Sequence, residues 1–203
     1  RRLDQLTAVV FDTETTGLEP SAGDRLVQIA GQRVVHGRLR EGDVFDTLVD
    51  PGRPIPAAST AIHHITNEMV VDAPDEGNAV RAFHAFAEGA VLVAHNAAFD
   101  LAFLSKVEGQ SGVRFDQPVL DTVLLSAIAF PHESDHTLDG LAARLGVTIP
   151  EPLRHTALGD SVATADVFLR LIPLLEGQGI ETLSDAIEAS DKMLAIRRQQ
   201  AKY

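Results

Sequence analysis

The sequence contains no cysteine, which excludes disulfide bonds and thiolate metal sites. Any metal held by this chain must sit on oxygen or imidazole, and that donor set favours magnesium or manganese over structural zinc. No apolar run approaches the roughly 20 residues needed to cross a bilayer, and no signal peptide is visible. The expected setting is therefore cytoplasmic, with no membrane partner. Positive charge is also scarce. Lys and Arg number 17 against 29 Asp and Glu, for a net charge of −12, whereas a protein that grips long duplex through its phosphates is normally basic. The imbalance argues against a transcription factor but not against a nuclease. Nucleic acid would bind weakly away from an active site, and binding would depend on metal ions, local arginines or a tethering partner. Repeats and low-complexity tracts are absent too. The chain opens on Arg1 rather than methionine, which suggests a processed or excised piece of something longer.

What is present is ordinary globular composition: 203 residues, 45% apolar and 23% charged, enough for one domain with a full core. Residues 7–12 read as a buried central strand. Asp24 to His36 and Asp43 to Val49 read as two more strands, with Gly37 and Gly42 marking the turn between them. Pro51 to Pro56 is a proline-rich loop, and Ala61 to Val71 a short irregular or helical piece. Helical spacing predicts Glu76 to Glu88, Ala97 to Glu108, Asp121 to Ala129, Thr137 to Leu145 and Thr156 to Leu175. The last of these carries an apolar stripe through Leu158, Val162, Ala165, Phe168 and Ile172. Ala90 to Ala94 and Pro118 to Leu120 read as strands. Ile180 to Gln200 reads as a charged amphipathic helix leading to Arg197, Arg198 and Lys202. A meander followed by alternating helices and strands argues for an α/β mixed sheet flanked by helices.

Three short stretches carry the chemistry. In Phe11-Asp12-Thr13-Glu14 the two acids lie two apart on a strand and share one face, while Thr13 points the other way. Two carboxylates so spaced can share a metal, although a strand end turning polar would look the same. Phe45-Asp46-Thr47 repeats the first three residues but has Leu48 where the second acid would stand, and is read as structural. In His95-Asn96-Ala97-Ala98-Phe99-Asp100 the acid falls in a first helical turn, where the helix dipole alone would stabilise it, and Asn96 could serve only as an N-cap. In His155-Thr156-Ala157-Leu158-Gly159-Asp160 the acid faces away from the apolar stripe, toward either solvent or a metal, and His155 lies just outside the regular helix. A histidine beside a carboxylate cluster offers a base that titrates near neutral pH.

Together, D-x-E, N-x-x-x-D and H-x-x-x-x-D in this order resemble the DEDDh family of 3′–5′ exonucleases, nearest to its proofreading epsilon branch. The likeness covers about residues 7–175. It extends to Thr15-Thr16-Gly17-Leu18, Leu48-Val49-Asp50-Pro51-Gly52 and Ala61-Ile62-His63-His64-Ile65-Thr66, although the family usually carries glycine at the position of His64. The resemblance implies a ribonuclease H-like fold with a five-stranded mixed sheet. It implies an exonuclease domain over 1–176; residues 177–203 match nothing in the family and are read, from their own pattern, as a helical extension that covers the core or leads into a further domain. It also implies two Mg²⁺ or Mn²⁺ ions on the four acids. Asp12 would bridge both ions, Glu14 and Asp160 would complete the first site, and Asp100 would support the second. His155 would take a proton from the attacking water. Thr15, Gly17, Leu18, His63 and Asn96 would contact substrate: Thr15 the terminal 3′ hydroxyl, Leu18 the terminal bases and Asn96 the strand near the scissile phosphate. The implied partners are single-stranded or frayed 3′ ends of DNA, with a polymerase or other tethering protein. A short-RNA exonuclease, a catalytically inactive nuclease-like binding module and a structural metal-binding domain are the competing readings. The complete set of acids with His155 speaks against the last two.

Overall fold

The computed structural model describes residues 1–201; Lys202 lies outside them. Five strands form one sheet: β1 (Thr7–Thr15), β2 (Leu26–Val35), β3 (Arg38–Leu48), β4 (Val91–Ala94) and β5 (Val119–Asp121), in the order β3-β2-β1-β4-β5. The hairpin strands β2 and β3 run antiparallel beside β1, while β4 and β5 run parallel to it. Among the described residues eight helices surround the sheet: α1 (Ala57–His63), α2 (Glu76–Phe86), α3 (Ala97–Lys106), α4 (Glu108–Ser111), α5 (Thr122–Ala129), α6 (Leu138–Leu145), α7 (Ala157–Glu176) and α8 (Leu183–Ala201).

The alternation of β1 sorts the core into two layers. Ala8 and Val10 pack with Phe168, Leu171 and Leu175 of α7. Val9 and Phe11 pack on the opposite face with Phe83 of α2 and Phe103 of α3. Helix α8 returns to the first layer through Leu183 and Ala186.

Three local readings are corrected. The hairpin turns at His36 and Gly37, with φ of 51° and 77°, and Gly42 (φ 81°) lies inside β3. There β3 bulges against β2, and the buried Gln32 amide fills the bulge by donating to the Arg40 carbonyl at 2.7 Å. The predicted 61–71 segment resolves into α1, which starts earlier, and a 3-10 turn at Glu68–Val70. The buried stripe at the start of α7 consists of Ala157, Gly159, Ser161 and Thr164, with Leu158 and Val162 only half-buried. These small side chains let the helix lie close on the sheet, where the Ser161 hydroxyl reaches the Ala30 carbonyl of β2 at 3.2 Å.

Candidate active site

The site forms where β1 runs out. The parity that sends Ala8 and Val10 toward α7 sends Asp12 and Glu14 the same way, and Asp160 stands in the first turn of α7 facing them. Carboxylate oxygens of Asp12, Glu14 and Asp160 all lie within 4.8 Å of one another. A bulge at Glu14/Thr15 ends the ladder here. Its extra residue, Val27, is buried with Ile55, Ile65 and Val70 beneath the loop that carries α1.

Asp100 arrives from the other layer. It is 3% exposed, on the buried face of α3 with Phe103 and Leu104. Thr13, which points away from Asp12 and Glu14, donates its hydroxyl to Asp100 Oδ1 at 2.5 Å. The structure thus brings three of the four predicted acids to mutual ligand distance and holds the fourth on Thr13, close enough that its charge acts on Asp12 and Glu14. Thr13 was missed because strand parity alone turns it from the acids. The signal was available: an odd residue of β1 must meet whatever α3 buries.

These acids repel one another in a place that solvates them poorly. Burial, then the charges of Asp100, Glu14 and Asp160, push Asp12 well above the usual carboxylate range. Burial and the Asp160 and Asp100 charges push Glu14 up to about 8. Burial lifts Asp100 to about 7 against the pull of Thr13. Burial lifts Asp160 to about 6, opposed by the charge and backbone of His155. No Lys or Arg bonds Asp12 or Glu14 among the described residues. A cluster of half-buried, mutually repelling carboxylates suits a hard divalent cation.

His155 sits in the left-handed region (φ 62°) between a 3-10 turn at Glu151–Leu153 and α7. Thr156 caps α7 by accepting from the Gly159 N–H at 3.0 Å. Gly159 is required here, because a Cβ would run into the Leu153 carbonyl. The exposed His155 lines a cavity of about 140 Å³ with Thr137, Asp139, Arg154 and Asp160.

The predicted substrate residues divide into two places. Glu14, Thr15, Gly17, Leu18, Ile62 and His63 line a cleft of about 250 Å³. Leu18 is 79% exposed at its rim. The Thr15 hydroxyl donates to the Gly17 carbonyl at 2.6 Å. Both ring nitrogens of buried His63 are engaged: Nδ1 accepts from the Ile65 N–H, so Nε2 carries the proton and donates to the Thr15 carbonyl at 3.2 Å. Burial holds this ring below the usual imidazole range. His64 ends α1 at φ 64°, a backbone state that accounts for glycine as the family's usual residue there. Asn96 is exposed in the left-handed region, and its side chain caps nothing. The Asp121 carboxylate caps α3 instead, accepting from the Asn96 and Ala97 N–H groups at 3.0 and 3.1 Å, and also caps α5 through Val123. Asp24, also missed, fastens the Leu18 turn by accepting from the Thr16 hydroxyl at 2.8 Å and the Glu19 N–H at 3.1 Å.

Comparison with known proteins agrees with this geometry. The family model RNase_T, described as Exonuclease, matches residues 9–168. A DNA polymerase III subunit epsilon-like protein of Rhodobacter capsulatus is 64% identical over 180 residues, 89% of this chain and 26% of that protein. A PolC-type DNA polymerase III of Bacillus subtilis is 31% identical over 98% of this chain and 14% of its own length. The chain thus spans about a quarter or less of these two relatives. Among solved structures, exonuclease X in complex with 5′ overhanging duplex DNA has a TM-score of 0.70 at 26% identity, over 90% of this chain and 99% of that one. Escherichia coli exonuclease I with a dT13 oligonucleotide has a TM-score of 0.70 at 19% identity, over 86% of this chain and 42% of that one, a likeness of fold. With most of its length matched by that family model and its sheet shared with those structures, this chain belongs to the exonuclease family.

Proposed function

We propose that this chain is a metal-dependent 3′–5′ exonuclease domain that removes nucleoside 5′-monophosphates from the 3′ ends of single-stranded or frayed DNA. The carrying observation is the meeting of Asp12, Glu14 and Asp160 within 4.8 Å while Asp160 also lines the His155 cavity. Asp160 therefore links the acid cluster to the cavity that His155 lines. Asp12, Glu14 and Asp160, with Asp100 beside them, would hold the divalent metal, Mg²⁺ or Mn²⁺. When bound, such ions stabilise the attacking and leaving oxygens of an in-line displacement. His155 accepts the proton of the attacking water. The exposed Leu18 meets the terminal bases, and the cleft between the Thr15–Leu18 turn and α1 takes the terminal nucleotide. Exposed Asn96 is free to bond the strand.

The DNA polymerase names of the relatives favour DNA as substrate and a polymerase as tethering partner. Residues 1–176 form the exonuclease unit and 177–203 an extension, whose Leu183 and Ala186 pack into the first core layer. Product analysis on 3′- and 5′-labelled DNA and RNA strands tests the reading. Mononucleotides released from DNA 3′ ends only with Mg²⁺ or Mn²⁺ support it; degradation from 5′ ends, or full activity in excess chelator, refutes it.

A further inference from the structure

We propose that Arg154 is a substrate-binding residue: its guanidinium takes a phosphate of the strand entering the site, leaving the carboxylate of Asp139 to do so. The inference rests on the exonuclease reading above. Arg154 immediately precedes His155, and both line the cavity that holds Asp160. Among the described residues lining that cavity or the Leu18 cleft, Arg154 is the one Lys or Arg side chain. A phosphodiester reaching this point meets Asp139 and Asp160, with Asp12 and Glu14 beside them, on a chain of net charge −12. Here a fixed cation has the most to offset. A guanidinium presents planar, forked donors that match phosphate oxygens.

The present partner of Arg154 is replaceable. Its Nη2 donates to Asp139 Oδ2 at 2.7 Å, and its Nη1 lies 3.9 Å from Glu151 Oε2. The acids are 56% and 87% exposed, so these are surface pairs, which contribute little to stability. Asp139 stands in the first turn of α6, where the helix dipole favours its charge when the arginine leaves. Exchanging one oxyanion for another therefore costs little. The rival role for this ion pair is to fasten the His155 segment to α6. The two roles predict opposite signs for Asp139, since a competing anion weakens binding when present and a fastener weakens turnover when lost.

The test measures kcat and KM on a single-stranded 3′-labelled oligodeoxynucleotide. It also measures Kd for that strand by fluorescence anisotropy with Ca²⁺, over a range of salt. Arg154→Gln should raise KM and Kd several-fold and reduce the salt slope by about 0.7, the loss of one phosphate contact on a single strand. Arg154→Lys should restore part of the affinity. Asp139→Asn should lower KM and Kd. An unchanged Kd or salt slope in Arg154→Gln, or an unchanged or raised KM in Asp139→Asn, overturns the proposal. A fall in kcat in both variants at unchanged KM assigns the pair to positioning His155 instead. If the wild-type protein does not shorten DNA from the 3′ end, it is the exonuclease reading that fails. If it does and Arg154→Gln binds like wild type, only the role of Arg154 fails.

Discussion

The Thr13 hydroxyl donates to Asp100 Oδ1 at 2.5 Å, joining the central strand to α3 directly behind the acid cluster. Both residues are almost wholly buried, Thr13 at 6% and Asp100 at 3%. The bond opposes the effect of burial on Asp100 and keeps its carboxyl more acidic than its surroundings would. Thr13→Val keeps the shape and removes the donor, so protonated Asp100 competes better against a cation. We expect the Mn²⁺ concentration for half-maximal activity to rise by about 10–100-fold, the usual cost of losing a group that supports a ligand. The requirement should ease as pH rises, and Thr13→Ser should behave almost as wild type. A metal titration of the three proteins checks this, and an unchanged midpoint in Thr13→Val would show that the bond does not matter to the site.

The raised carboxyls also set the stability of the metal-free protein. Between its ordinary and its raised pKa, each acid binds more protons folded than unfolded, so stability falls as pH rises through that window. Glu14 titrates near 8 in the fold against an ordinary 4.5, and Asp12 is raised in the same sense. The rings of buried His63 and half-buried His95 are pushed below 6.5 by burial and work in the opposite direction only up to about that pH. Above pH 7 these two histidines no longer offset the acids. The thermal midpoint in chelator should therefore fall from pH 7 to pH 9, and Mn²⁺ should raise it more at pH 9 than at pH 7. Calorimetry at matched ionic strength decides the matter. A chelated midpoint that rises over this range contradicts the picture of a repelling cluster.

The sequence was most legible where periodicity and burial agree. Asp12 and Glu14 on one face of a strand, and Asp160 at a helix start, are local patterns whose meeting follows once α7 packs on that face. Less legible were features decided by tertiary contacts. Gly37 and Gly42 look alike in the sequence, yet one makes the turn and the other a bulge plugged by Gln32, because pairing with β2 chooses between them. The stripe of α7 was misplaced at its start because Leu158 and Val162 are the larger apolar residues, whereas close approach to the sheet selects Ala157, Gly159 and Ser161. The Thr13–Asp100 bond joins residues 87 apart: strand parity turns Thr13 toward α3, but only the packing of α3 selects Asp100 as its partner.

The Leu18 turn gives a substrate-level prediction. Gly17 lies against the Asp24 carboxylate, and an added Cβ would collide with it. Gly17→Ala must therefore disturb the bonds from Asp24 to Thr16 and Glu19 that fix the turn. If Leu18 parts the terminal bases as proposed, activity on paired 3′ ends should fall by several-fold more than activity on single strands. Equal loss on both substrates would mean that the turn does not take part in separating the ends.

The sharpest test separates the proposed metal ligands from the proposed base and from the repeated motif on β3. Asp46 pairs in register with Ala30, as Asp12 does from the other side of β2, which places the two acids on one face but two strands apart, on the order of 9–10 Å. Asp46 is exposed and accepts from the Gln28 amide at 2.9 Å, outside the cluster of Asp12, Glu14 and Asp160. Asp46→Ala should leave turnover within about two-fold of wild type, as is usual for a surface change away from such a site. Asp12→Ala should abolish tight Mn²⁺ binding and nearly all turnover. His155→Ala leaves the acids in place, so it should still bind Mn²⁺ and a 3′-terminal nucleotide while turnover falls by about 10²–10⁴-fold, the scale of general acid–base catalysis. Isothermal titration with Mn²⁺ alongside single-turnover cleavage separates the three outcomes. Normal turnover in His155→Ala, or damage in Asp46→Ala equal to that in Asp12→Ala with the fold intact, would require a different assignment of the base or of the metal-holding strand.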